Sequence, residues 1–163
     1  MAIQKDAAKD AERLLSTVWD GTVPVDPVQI ARTLGLQVLD VELSENIAGA
    51  LVKRPGRDPY IALNAKDSNK RKRFSCAHEI GHYIKRGAGD EYEYVDLRDH
   101  LSKTGTDPNE RYANSFAACL LMPERSVREL KRQRGLGEVE LAVVFDVSRE
   151  AMHYRLKDLG LLK

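Results

Sequence analysis

The first apolar run, Ala7, Ala8, Ala11, Leu14, Leu15 and Val18, repeats at helical spacing. It predicts an amphipathic helix over residues 6–18, terminated by Gly21 and Pro24. Asp26 and Pro27 then read as the N-cap and first position of a second helix. That helix runs through Ile30, Ala31 and Leu34 and stops at Gly35. Beyond it the period shortens. Leu39, Val41 and Leu43 alternate with polar residues, as in a half-buried strand. Residues 48–53 and 60–64 are short apolar runs joined by the turn-forming segment 54–59, and predict a hairpin.

From Ser68 to Arg86 the period is helical again. Phe74, Ala77, Gly81 and Ile84 share a face, and Gly87 is the expected stop. Residues 87–106 show no clear period and read mostly as loop. The next helix is predicted to start at Asp107-Pro108 and end at Pro123, with an apolar stripe of Ala113, Phe116, Ala117, Leu120 and Leu121. Residues 127–134 and 138–162 read as two or three short helices. Helices, then strands, then helices predict an α+β fold with a small antiparallel sheet and a helical C-terminal part.

The chain has 163 residues, which predicts one domain spanning 1–163. With 26 basic and 25 acidic residues the net charge is +1, so a globally basic nucleic-acid binder is not indicated. Two cysteines, Cys76 and Cys119, exclude a disulfide scaffold and fit a reducing cytoplasm. No apolar run reaches the roughly 18 residues of a membrane helix, and residues 1–10 lack the apolar core of a signal peptide. The expectation is a soluble, cytoplasmic protein.

The chemistry is concentrated in His78-Glu79-Ile80-Gly81-His82, an H-E-x-x-H within the predicted central helix. Residues four apart lie one above the other, so both imidazoles can reach one metal ion. Imidazole nitrogens suit zinc. Glu79 is rotated about 100° from His78, beside such a metal rather than on it. There it can take a proton from a water whose pKa the metal lowers and pass it to a leaving amine.

A catalytic zinc site has three protein ligands and an open position. The extended motif H-E-x-x-H-x-x-G-x-x-H fails, because Lys85 and Ala88 occupy its last two fixed positions. Glu91, Glu93, Asp96, Asp99, His100 and Glu110 are the downstream candidates for a third ligand. Glu110 is favoured because it shares the stripe of Ala113 and Ala117 and so points toward the core, where a carboxylate needs a partner. Asp107-Pro108-Asn109-Glu110 also matches a capping box, in which Glu110 would fold back on the helix start. Spacing leaves both open. Tyr83, His100, Tyr112, His153 and Tyr154 are candidates for a second electrophile.

The pentapeptide, followed by Glu110-Arg111-Tyr112-Ala113-Asn114-Ser115-Phe116-Ala117-Ala118-Cys119-Leu120-Leu121-Met122-Pro123, resembles the ImmA/IrrE family of metallopeptidases. Residues 24–36 and the hairpin share the likeness. The resemblance implies a zincin-like core, one Zn2+ per chain held by His78, His82 and Glu110, and Glu79 as general base. It also implies a substrate: a helix-turn-helix repressor, cleaved to derepress a mobile element or a stress regulon.

Three weaker signals remain. The run Lys70-Arg71-Lys72-Arg73 reads as a solvated helix face rather than an anion site, although cations near a helix start are mildly unfavourable. The hairpin offers a strand to an extended substrate by β-addition, or merely completes the sheet. Residues 141–156 look like a helix-turn-helix, with Ser148 as N-cap of the second helix. Direct nucleic-acid binding there is not favoured, because Asp146, Glu150 and Asp158 oppose Arg149, Arg155 and Lys157. The alternative to an enzyme is a regulatory module that docks a repressor or DNA through these helices. An intact Glu79 argues for the enzyme, since docking needs no general base.

Overall fold

A computed structural model describes residues 1–87, 91–97 and 107–162. Seven helices and a four-stranded sheet lie among them, an α+β fold with a helical C-terminal part. Helix α1 spans Ala2–Val18 and buries Ala7, Ala11, Leu14 and Leu15. It starts four residues before the predicted position, and Ile3 packs against the core there. Helix α2, Pro27–Thr33, is capped as its sequence predicts: the Asp26 carboxylate accepts from the amides of Val28 and Gln29 at 3.0 and 3.1 Å.

The strands are β1 (Gln37–Val41), β2 (Ile47–Lys53), β3 (Tyr60–Asn64) and β4 (Tyr92–Leu97), in the order β1-β3-β2-β4. The predicted hairpin is β2–β3, antiparallel, with Ala50 opposite Ala62. The sheet is mixed rather than wholly antiparallel, because β1 runs parallel to β3. In β1 the period of two holds but its phase is reversed. Leu39 and Val41 are exposed, while Leu36 and Val38 join the core. Asp40, on the same side as Val38, meets Lys72 at 3.1 Å.

Strand β4 lies in the stretch expected to be mostly loop. It is a sheet edge held by β2, with Val52 opposite Glu93 and Leu51 opposite Tyr94. Its signal was the alternation of Tyr92 and Tyr94, too short to stand out beside acidic neighbours. Because both hairpin strands are interior, the hairpin itself has no open edge for a substrate; among the described residues β4 does.

Helix α3, Asn69–Arg86, is the centre of the molecule. Ser68 caps its start by accepting from the Arg71 amide, and Gly87 ends it at φ +70°. Eight consecutive residues, Ser75 to His82, are buried. No amphipathic surface helix does this; over this stretch α3 is covered on all sides. Helix α4, Pro108–Leu121, carries the predicted stripe inward, with Tyr112 buried beside it. At Gly81 α3 and α4 come close together. A Cβ there would lie 3.1 Å from the Ala113 Cα and 3.2 Å from the Phe116 Cβ. On its other side α4 meets α1, where the Tyr112 hydroxyl donates to Asp10 at 2.6 Å.

Helices α5 (Glu124–Arg134), α6 (Glu138–Phe145) and α7 (Arg149–Asp158) complete the chain. Arg155 of α7 is buried and donates to the Met122 carbonyl at the end of α4, at 3.0 Å. Arg73 corrects the reading of a solvated basic run. Its guanidinium donates to the carbonyls of Val25, Phe145 and Asp146. A cation at the C-terminal end of α6 is favourable, which accounts for a cation near the start of α3. Burial lowers its pKa and Asp146 opposes that effect. Cys76 is a buried thiol, as expected, and burial pushes it up to about 12. Cys119 is half-buried in α4, and burial raises it too.

Two outcomes follow from this packing. Gly81→Ala gains about 1 kcal/mol of helix propensity but loses about 1–3 kcal/mol to overpacking against backbone. Urea unfolding is therefore expected at a lower midpoint; a raised midpoint would show that α3 and α4 are not in close contact. At pH 8 Cys76 is expected to resist a thiol reagent in the folded protein and to react fully in urea. Rapid native labelling of Cys76 would contradict its burial.

Candidate metal centre

One turn of α3, from His78 to His82, and the first turn of α4 build the centre. His78 and His82 are 0% and 4% exposed. Their Nε2 atoms lie 3.1 Å apart. The Glu110 carboxylate closes the triangle, with Oε2 3.2 Å from His78 Nε2 and Oε1 3.1 Å from His82 Nε2. The two readings of Glu110 are thereby separated. Asp107 caps α4 through the Asn109 amide at 2.8 Å, while Glu110 turns inward to the imidazoles.

Burial alone would raise the Glu110 pKa. Hydrogen bonds and charge from His78 and His82 outweigh it and hold the carboxyl well below its ordinary range. The carboxylate is thus in the ionised form a cation requires. The two Nε2 atoms are 3.1 Å apart, close to the roughly 3.3 Å edge of a tetrahedron with bonds of about 2.0 Å, and the carboxylate offers a different oxygen to each imidazole. The three side chains can therefore hold one metal ion, and they form a metal-capable group among the described residues.

Glu79 stands apart from the triangle. It is fully buried, and its Oε1 lies 3.7 Å from where a Cβ on Gly49 of β2 would be. The glycine leaves room for the carboxylate between α3 and the sheet. Of the other candidates for a third ligand, Glu91 and Glu93 do not join the group. Glu91 and Glu93 pair with Arg54 at 3.4 and 2.6 Å. The side chain of Asp96, and Asp99 and His100 entirely, lie outside the described residues. Among the candidate electrophiles, Tyr83 packs against the core, Tyr112 is committed to Asp10, and His153 pairs with Glu138 at 2.8 Å. Tyr154 is exposed on α7.

Two neighbours of the triangle escaped the sequence reading. Tyr94 of β4 stacks on His82, with ring centroids 4.6 Å apart and planes 10° apart. Arg86 donates to its hydroxyl at 3.3 Å. The Tyr-x-Tyr alternation was the available signal. Asn114 lies with Oδ1 2.9 Å from His78 Nδ1. Its place four residues after Glu110 puts both on one face of α4, which was also legible.

The C-terminal segment does adopt two helices joined by a tight turn, with Asp146 at φ 51° and Ser148 accepting from the Ala151 amide. Its charges are largely spent inside the protein. Glu138 binds both Arg149 and His153, and Arg155 is buried on Met122.

No match to an individual curated protein was found. The family model Peptidase_M78, described as the IrrE N-terminal-like domain, matches residues 31–157, which include the whole triangle and Glu79. That match covers most of the chain, and the chain belongs to this metallopeptidase family.

Proposed function

We propose that the protein is a zinc-dependent endopeptidase that cleaves a helix-turn-helix transcriptional repressor and so derepresses a mobile element or a stress regulon. The observation that carries the peptidase reading is the buried triangle of His78, His82 and Glu110, with a glutamate one residue along the same helix. His78, His82 and Glu110 are the metal ligands in this reading, and Glu79 is the general base. Zinc suits two imidazoles and a carboxylate, and when bound it supplies a Lewis acid and a water of lowered pKa. Glu79 takes the proton from the attacking water and delivers it to the departing amine. Burial of its carboxylate against Gly49 keeps bulk water from competing for that proton.

The sheet edge supports an extended substrate. Strand β4 is the outer strand on the side of the centre, and its Tyr94 lies on His82. A peptide segment that adds to this edge gains main-chain hydrogen bonds and passes close to the triangle. A folded repressor would have to present such a segment. Family membership supports the peptidase class; the repressor as substrate rests on the likeness of the two sequence blocks. A repressor target places the protein in the cytoplasm, and no described helix is long and apolar enough to cross a membrane.

Elemental analysis after zinc incubation and desalting is the first test. About one zinc per chain is expected for the wild type, with loss or sharp weakening in Glu110→Ala. No zinc in either protein would move the reading to a docking module. Glu79→Gln is expected to keep its zinc and still bind the repressor while losing cleavage, followed by mass spectrometry of the products. Undiminished cleavage by Glu79→Gln would remove Glu79 as the base.

A further inference from the structure

The His78 ring is gripped at both nitrogens by one helix. Its Nε2 faces Glu110 at 3.2 Å and its Nδ1 faces Asn114 at 2.9 Å. Glu110 and Asn114 are four apart on α4, so both project from the same side of that helix toward α3. The ring is 0% exposed. An imidazole has two neutral tautomers, and the hydrogen bond at one nitrogen decides what the other can do. If the Asn114 carbonyl accepts from Nδ1–H, Nε2 carries its lone pair into the triangle. If the amide NH2 donated to Nδ1 instead, Nε2 would carry a proton pointed at His82 and Glu110, and that proton would stand where a metal ion must bind.

We propose that Asn114 is a positioning residue: its side-chain carbonyl accepts the Nδ1–H of His78 and holds that ring in the tautomer whose Nε2 can bind metal. This rests on the reading of the triangle as a zinc site and deepens it. Asn114 acts through His78 and touches neither metal nor substrate. An uncharged acceptor at this position orients the ring without adding a third carboxylate to a centre that already holds Glu79 and Glu110. The ring of His82 is held differently, by the flat face of Tyr94, so the two imidazoles are fixed by a hydrogen bond and by stacking respectively.

The test uses the full chain and two readouts. In the metal-free wild type, nitrogen NMR spectra of the histidine rings are recorded. His78 is expected to be protonated at Nδ1, and in Asn114→Ala a form without the Nδ1 proton is expected to appear. Zinc alone is then titrated against a chromophoric chelator. Asn114→Ala is expected to bind about 10–100-fold more weakly, with Asn114→Asp restoring affinity because its carboxylate also accepts. A purely structural role would lower the stability of Asn114→Ala and leave zinc affinity and the tautomer unchanged. That result, or a His78 that carries no proton at Nδ1 in the wild type, overturns the proposal. Should Asn114→Ala not fold, the wild-type tautomer and the affinity of Asn114→Asp decide. A wild type that binds no zinc refutes the metal reading, while the tautomer still judges the role of Asn114.

Discussion

Two buried imidazoles and a partly buried carboxylate meet between α3 and α4, and the rest of the fold keeps those two helices at one separation. Burying such groups costs free energy unless each finds a partner. Here they find one another, at distances that a shift of about an ångström would spoil. Gly81 lets the two helices come close together. Tyr112 fastens the far side of α4 to α1 through Asp10, and Arg155 closes its C-terminal end on the Met122 carbonyl. Arg73 does the same for α3, joining its first turns to the α2 entry and to the end of α6. The sheet covers the remaining face, where Gly49 leaves room for Glu79.

Much of this was legible because local rules and tertiary packing agree. The caps at Asp26, Ser68 and Asp107, the stops at Gly35 and Gly87, and the α4 stripe are sequence-local devices, and each appears where its residues stand. The metal-capable pair was legible because a spacing of four is a helical property. Glu110 was ambiguous from spacing alone, since a capping box and an inward ligand use the same residue. Only α3, distant in sequence, decides between them.

What was not legible depended on neighbours that sequence does not name. The pleat of β1 is phased by its parallel partner β3 and by Lys72, so Asp40 took the side expected for Leu39 and Val41. Strand β4 exists because β2 offers it a ladder, and six residues carry too short a period to announce it. Arg73 looked solvated in a basic run, because the carbonyls it serves lie some fifty and seventy residues away in sequence. The same reasoning applies to the C-terminal helices. Their helix-turn-helix outline is genuine local geometry, while their arginines and Glu138 are largely engaged within the protein.

Helix α1 gives the family boundary a mechanical meaning. The matched region begins at residue 31, yet Ala7, Ala11, Leu14 and Leu15 share the buried core with Tyr112 and Phe116 of the Glu110 helix. The segment a family shares and the segment that can hold its shape are therefore different lengths of chain. A graft that moved residues 31–157 into another protein would carry every reacting group and leave behind the wall they lean on. Relatives that begin differently would have to supply an equivalent wall from elsewhere, and the choice of that wall is free to vary without touching the chemistry.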